Sequence, residues 1–126
     1  MSALALPYLL NILILAPVGP LVLWGGQYGL RRVFQGRFGE SEGVRTILGS
    51  LWTAILCASL LGLYRPTTMA PLLVVQVIYK SLWLATFALP RLASGRASEV
   101  PPGVAISFAV IVATYPLVIP WREMFG

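Results

Sequence analysis

The chain has 126 residues, 58% of them hydrophobic and 10% charged, with a net charge of +5 and a mean hydropathy of +0.84. Soluble domains hold roughly 45–50% apolar and about 25% charged residues, so this composition excludes an ordinary water-soluble fold and points to a bilayer as solvent. With no histidine in the sequence, a His-ligated haem, a His-based metal site and a Ser-His triad are excluded as well.

Four apolar segments are predicted as spans, near residues 4–24, 44–63, 69–89 and 101–120. Each holds about 20 residues, which at about 1.5 Å rise per residue covers a hydrocarbon core of roughly 30 Å. Inside lipid every backbone group must bond internally, and segments of this length do so as helices. The expected fold is therefore all-α, one domain over residues 1–126, an integral membrane four-transmembrane-helix bundle with short loops. Strands of a barrel would alternate apolar and polar residues over about ten positions, and these segments do not.

The first segment reads as a mature helix and not as a signal peptide. Residues 1–10 carry no Lys or Arg, the apolar run is long, and no A-x-A site follows. Pro7, Pro17, Gly19 and Pro20 predict a kink or break that exposes carbonyls near residues 13–16. The loop that follows, 25–44, sets Leu30, Val33, Phe34 and Phe38 at helical spacing, with Arg31, Arg32 and Gln35 on other faces. It is either a short amphipathic turn in the headgroup layer or an extension of helix one. Gly36, Gly39 and Gly43 follow no strand and lack a Gly-Lys-Ser/Thr, so they make no phosphate loop.

Ser41 and Glu42 are placed to cap helix two and to set a carboxylate against its positive end. Ser50, Ala54, Ala58 and Gly62 form a small-residue stripe on it, matched on helix four by Ala105, Ala109 and Ala113. In lipid, small residues let backbones approach closely. The stripes serve either the intrachain bundle, the reading preferred here, or an oligomer. Cys57 stands alone, so no intrachain disulfide exists, and it reads as a small apolar filler. The connection at 64–68 is short enough to make helices two and three an antiparallel hairpin.

Helix three begins at Thr68 and Pro71 and carries Lys80 inside its apolar run. Lys80 lies ten residues before Pro90, about 15 Å along the helix, which is close to the bilayer midplane. Insertion scales put a central lysine at roughly 2.5–3.5 kcal/mol unfavourable, so something must offset it. Gln76, Tyr79, Lys80 and Trp83 share one face by their spacing. Asn11, Thr53 and Ser107 reach similar depth on the other helices. Lys80 is then either satisfied by carbonyls and amides or snorkelling, or paired with an acid of another subunit, or the anchor for an anionic or carbonyl-bearing ligand. A lipid headgroup, a quinone or a carotenoid end group would serve as that ligand.

Helix four opens at Ser98, Pro101 and Pro102, and Pro116 is expected to break it. All four acids, Glu40, Glu42, Glu99 and Glu123, fall in loops or the tail, which argues against a carboxylate proton relay and against an enzyme acting alone. No catalytic residue and no metal site is expected. Arg31, Arg32, Arg37, Arg45, Arg91 and Arg96 flank the first and third loops, against Arg65 and Arg122 on the other side. By the positive-inside rule those two loops are cytoplasmic and both termini face outward. The positive charge thus reads as topology and attraction to anionic headgroups, not as nucleic-acid binding.

With Arg45-Thr-Ile-Leu-Gly-Ser-Leu-Trp52 opening helix two and four spans joined by short loops, the chain resembles the DoxX-like group of small four-helix bacterial membrane proteins. That resemblance implies the bacterial cytoplasmic membrane and, for some members, quinone-coupled chemistry, with no catalytic residues to carry over. The sequence is read first as a non-catalytic accessory or interaction subunit of a larger membrane complex, partnered by lipids and by other subunits or its own copies. The alternative is a quinone-, lipid- or other amphiphile-binding bundle with Lys80 as polar anchor. A small transporter formed by oligomerisation ranks third.

Overall fold

A computed structural model describes residues 3–37 and 41–126, apart from the side chains of Gln27 and Leu30, and among the described residues the secondary structure is all helical. The elements are α1 (Ala5–Trp24), α2 (Gly26–Phe34), α3 (Glu42–Tyr64), α4 (Pro71–Trp83), α5 (Leu89–Ala93), α6 (Pro102–Val118) and α7 (Trp121–Phe125). A π turn, Leu84–Ala88, joins α4 to α5 into one rod, Pro71–Ala93. Ala5–Trp24, Glu42–Tyr64 and Pro71–Ala93 are long and apolar enough to cross a membrane, the marks of a membrane protein; Pro102–Val118 is apolar and, at 17 residues, shorter.

α1 and α3 form the closest pair, running antiparallel through glycines. A Cβ on Gly19 would meet the Thr53 backbone at 3.2 Å, one on Gly49 would strike the Leu23 backbone, and one on Gly62 would strike the Tyr8 ring. This corrects the expected stripe. Ser50 and Ala54 are exposed and Ala58 is half-buried, and only Gly62 lies in the contact. The reason is radial: Gly49, Trp52, Ser59 and Gly62 are the buried face of α3, and that face is offset from the one selected by four-residue spacing. On α6, Ala109 and Ala113 are exposed and Ala105 is half-buried, while Val104, Phe108, Ile111 and Tyr115 point inward.

α4 packs antiparallel on α6, where Tyr79 and Trp83 meet Phe108 edge-to-face at 5.8 and 5.3 Å. The α3–α4 turn is held by the Tyr8 hydroxyl, which donates to the Pro66 carbonyl at 2.6 Å.

The expected breaks in α1 and helix four are absent. α1 runs through Pro17 and Pro20, and α6 runs through Pro116. The irregular turn lies instead ahead of Pro90. Proline there has no N–H and its ring conflicts with the carbonyl four residues back, and widening the turn relieves both. Within and beside this turn Thr86 Oγ1 donates to Leu82 O at 2.6 Å and Arg91 Nη1 to Phe87 O at 3.3 Å.

α2 is a separate helix, not an extension of α1. Gly26, at φ +57°, supplies the left-handed residue that turns the chain between them. Phe34 enters the core at 3% exposed and stacks obliquely on Trp52, 5.8 Å between centroids. Phe38, Gly39 and Glu40 lie outside the described residues. Ser41 occupies the position before α3, but its side chain makes no capping bond. Arg45 caps the C-terminal end of α1 instead, donating to Val22 O at 2.7 Å and Leu23 O at 3.1 Å. Those carbonyls have no partner within their own helix, and a cation there also suits the helix dipole.

Candidate functional site

The polar face predicted on helix three divides into two parts. Gln76, fully buried, turns to α1: Asn11 Nδ2 donates to Gln76 Oε1 at 2.7 Å and Gln76 Nε2 returns a bond to Asn11 Oδ1 at 3.2 Å. Asn11 Nδ2 also donates to Ser59 Oγ at 3.0 Å, and the Tyr115 hydroxyl donates to Asn11 Oδ1 and, at 3.0 Å, to Pro7 O. One asparagine therefore ties α1, α3, α4 and α6 together. Asn11 and Gln76 satisfy one another and do not solvate Lys80.

Lys80 is on the other part, one turn further along α4. It is 4% exposed, and among the described residues it forms no hydrogen bond or ion pair. Its Nζ lies 5.1 Å from the Phe108 ring centroid and 5.4 Å from that of Tyr79, within cation–π range. Such contacts offset part of the cost of burial, but they satisfy none of the three N–H donors of an ammonium.

Lys80, Tyr79 and Phe108 line a half-open cavity of about 330 Å³ among the helices. Its α1 wall runs from Asn11 to Leu21, ten residues or about 15 Å of helix. At one end it meets the Asn11 hub. At the other it reaches Arg32 of α2, Gln35 just after that helix and Gly103 of α6, where Gly103 N–H donates to Gln35 Oε1 at 3.0 Å. Among the described residues the lining carries two cations, Lys80 and Arg32, and no acid.

Trp52 completes the wall from α3. It is 4% exposed, and its buried indole N–H has no hydrogen-bond partner among the described residues. Trp83 stands behind Phe108, stacked on Phe87 at 5.3 Å, and is not part of the lining. Thr53 packs against Gly19 at the α1–α3 contact, away from the cavity. Ser107 does reach the cavity, although its hydroxyl is committed to Gly103 O at 2.8 Å.

Of the predicted site residues, Lys80, Tyr79 and Asn11 thus meet at one cavity. Trp52, Phe108 and Arg32 line more of it, and Ser59 and Tyr115 complete the Asn11 hub at its end; these five were not singled out by sequence. Ser59 and Tyr115 had a usable signal: with Asn11 and Gln76, each lies within two turns of the same end of the bundle. Trp52 and Phe108 are aromatic residues among many and carried none. Compared with protein-family models, with curated proteins and with solved structures, the chain matches none of them.

Proposed function

We propose that the chain is a four-span integral membrane protein that binds an amphiphile in the Lys80 cavity and has no catalytic activity of its own. Lys80 acts as the polar anchor. The observation that carries this reading is a lysine 4% exposed, without a hydrogen-bonding partner among the described residues, on the wall of a cavity of about 330 Å³. That volume is at the lower end of the roughly 300–1,000 Å³ typical of small-molecule sites. An ionisable side chain inside a membrane span is by default a functional group.

Several features support the four spans. Leu13, Ile47, Leu61, Ile78, Leu82 and Ile106 are all more than half exposed, an apolar surface that suits lipid and not water. Trp24 and Tyr28 sit exposed at one end of the bundle and Tyr64, Trp121 and Phe125 at the other, as an aromatic belt at each interface requires. The α2 end carries six of the eight arginines, so it faces the cytoplasm and both termini face out of a bacterial cytoplasmic membrane. α2 itself lies in the headgroup layer with Arg31 toward solvent, Arg32 exposed at the mouth of the cavity and Phe34 inward.

A second reading, an accessory subunit that docks on other membrane helices or on its own copies, is favoured by a separate groove. Ser81, Ala85, Ala88, Ala105 and Ala109 line it on the open side of the α4–α6 pair, and small residues there admit a close helix.

The test of the main reading is native mass spectrometry of the full chain released from bilayer nanodiscs. Wild type is expected to retain one bound amphiphile. Ser107→Trp, which fills the cavity, is expected to lose it. Equal retention by both would place the amphiphile elsewhere and refute the cavity.

A further inference from the structure

Resting on that amphiphile-binding reading, we infer that the Lys80 cavity selects a carboxylate headgroup on a small single-chain or single-ring apolar body. The inference comes from the balance of donors and acceptors in the wall. Trp52 offers an indole N–H that is buried and unbonded, and an indole can only donate. Lys80 offers an ammonium with N–H donors that ring faces alone do not satisfy. The two groups come from different helices, α3 and α4, and both residues are at least nine-tenths buried.

The nearest amide oxygens are not free to answer them, because Asn11 and Gln76 are closed on each other, on Ser59 and on Tyr115. Among the described residues no acid lines the cavity. Buried donors without acceptors are costly, and one negatively charged group with two acceptor oxygens removes the deficit of both Trp52 and Lys80. A carboxylate meets this description. A quaternary or primary amine head does not, since it would add positive charge to a wall that holds Lys80 and Arg32. A neutral hydroxyl offers an acceptor but no countercharge. The apolar body of the ligand lies against Leu15, Val18, Val104 and Phe108 in a half-open space of about 330 Å³, a volume that one short chain fills.

The experiment uses the full chain in nanodiscs, with empty nanodiscs as the blank, and three probes of one chain length: octanoate, octanol and octylammonium. Titration calorimetry is expected to show saturable octanoate binding at least tenfold tighter than octanol, and none for octylammonium. Trp52→Phe keeps the ring and removes the N–H, and it should weaken octanoate by about tenfold, the value of one hydrogen bond to a charged group. Lys80→Met should abolish the preference for octanoate over octanol. If octanol binds as tightly as octanoate and Ser107→Trp removes both, the cavity holds amphiphiles but the carboxylate assignment fails. If none of the probes saturates, both the assignment and the reading under it fail. If wild type prefers octanoate and a folded Trp52→Phe protein binds it unchanged, the indole is not part of the headgroup site and the assignment fails. The wild-type comparison of octanoate with octanol needs no variant, so a Lys80→Met protein that does not fold leaves the test standing.

Discussion

Replacing Asn11 by leucine removes four hydrogen bonds at once, those with Ser59, Gln76 in both directions, and Tyr115. Interhelical hydrogen bonds in membrane proteins average about 0.6 kcal/mol, so four are worth about 2.5 kcal/mol. Tyr115 keeps its bond to Pro7 O, and a helical serine such as Ser59 can turn to the carbonyl one turn back. Gln76 has no other partner among the described residues and is fully buried, which adds about 1 kcal/mol or more for its stranded amide. Asn11→Leu is therefore expected to lose about 3–4 kcal/mol, the sum of those two terms. Adding Gln76→Leu takes the stranded amide away, so the double variant should be more stable than Asn11→Leu alone by about 1 kcal/mol. Leu13→Ala, at a position 74% exposed, is the control. Equilibrium unfolding in mixed micelles, followed by helix circular dichroism, gives all four values. An Asn11→Leu protein within about 0.5 kcal/mol of wild type, the usual spread of surface substitutions, would refute the hub.

Gly62→Val should destabilise by about 1–3 kcal/mol, because its Cβ enters the Tyr8 ring; the exposed Ala54→Leu should stay within about 0.5 kcal/mol of wild type in the same unfolding assay. Arg45→Met uncaps Val22 and Leu23 and should cost about 1.5–3 kcal/mol, with faster amide exchange in the last turn of α1 than elsewhere in that helix. An alkaline phosphatase fused after Gly126 should be active outside the cytoplasmic membrane, and one fused at Gly95 inactive; the reverse pattern would invert the topology.

Three of the four expected apolar segments were legible as helices long enough to cross a membrane, because apolar length alone decides that, while the fourth, 101–120, became the shorter Pro102–Val118. Expected bounds of 44–63 and 69–89 became Glu42–Tyr64 and Pro71–Ala93. Lys80 was legible as well, since a charge in such a run stands out against every neighbour. What failed were the choices that depend on rotation about a helix axis. The spacing of Ser50, Ala54 and Ala58 is as regular as that of a contact face, yet Gly49 and Gly62 make the contact with α1. Only an actual partner fixes which small residues face it. The same uncertainty hid the division between Gln76 and Lys80. Both lie on one broad face of α4, and whether an amide turns to the lysine or to Asn11 depends on the placement of α1. Proline positions misled in the other direction. Pro17, Pro20 and Pro116 sit in unbroken helices, while Pro90 is preceded by the π turn Leu84–Ala88.

Lys80 is the sole lysine of the chain, which makes its side chain observable by itself. With lysine labelled at the side-chain nitrogen, the protein in nanodiscs gives one Nζ resonance besides none from other residues. Titration with octanoate should move that resonance saturably in wild type and leave it fixed in Ser107→Trp. A resonance that stays fixed in wild type while octanoate binds would contradict Lys80 as the anchor of the cavity.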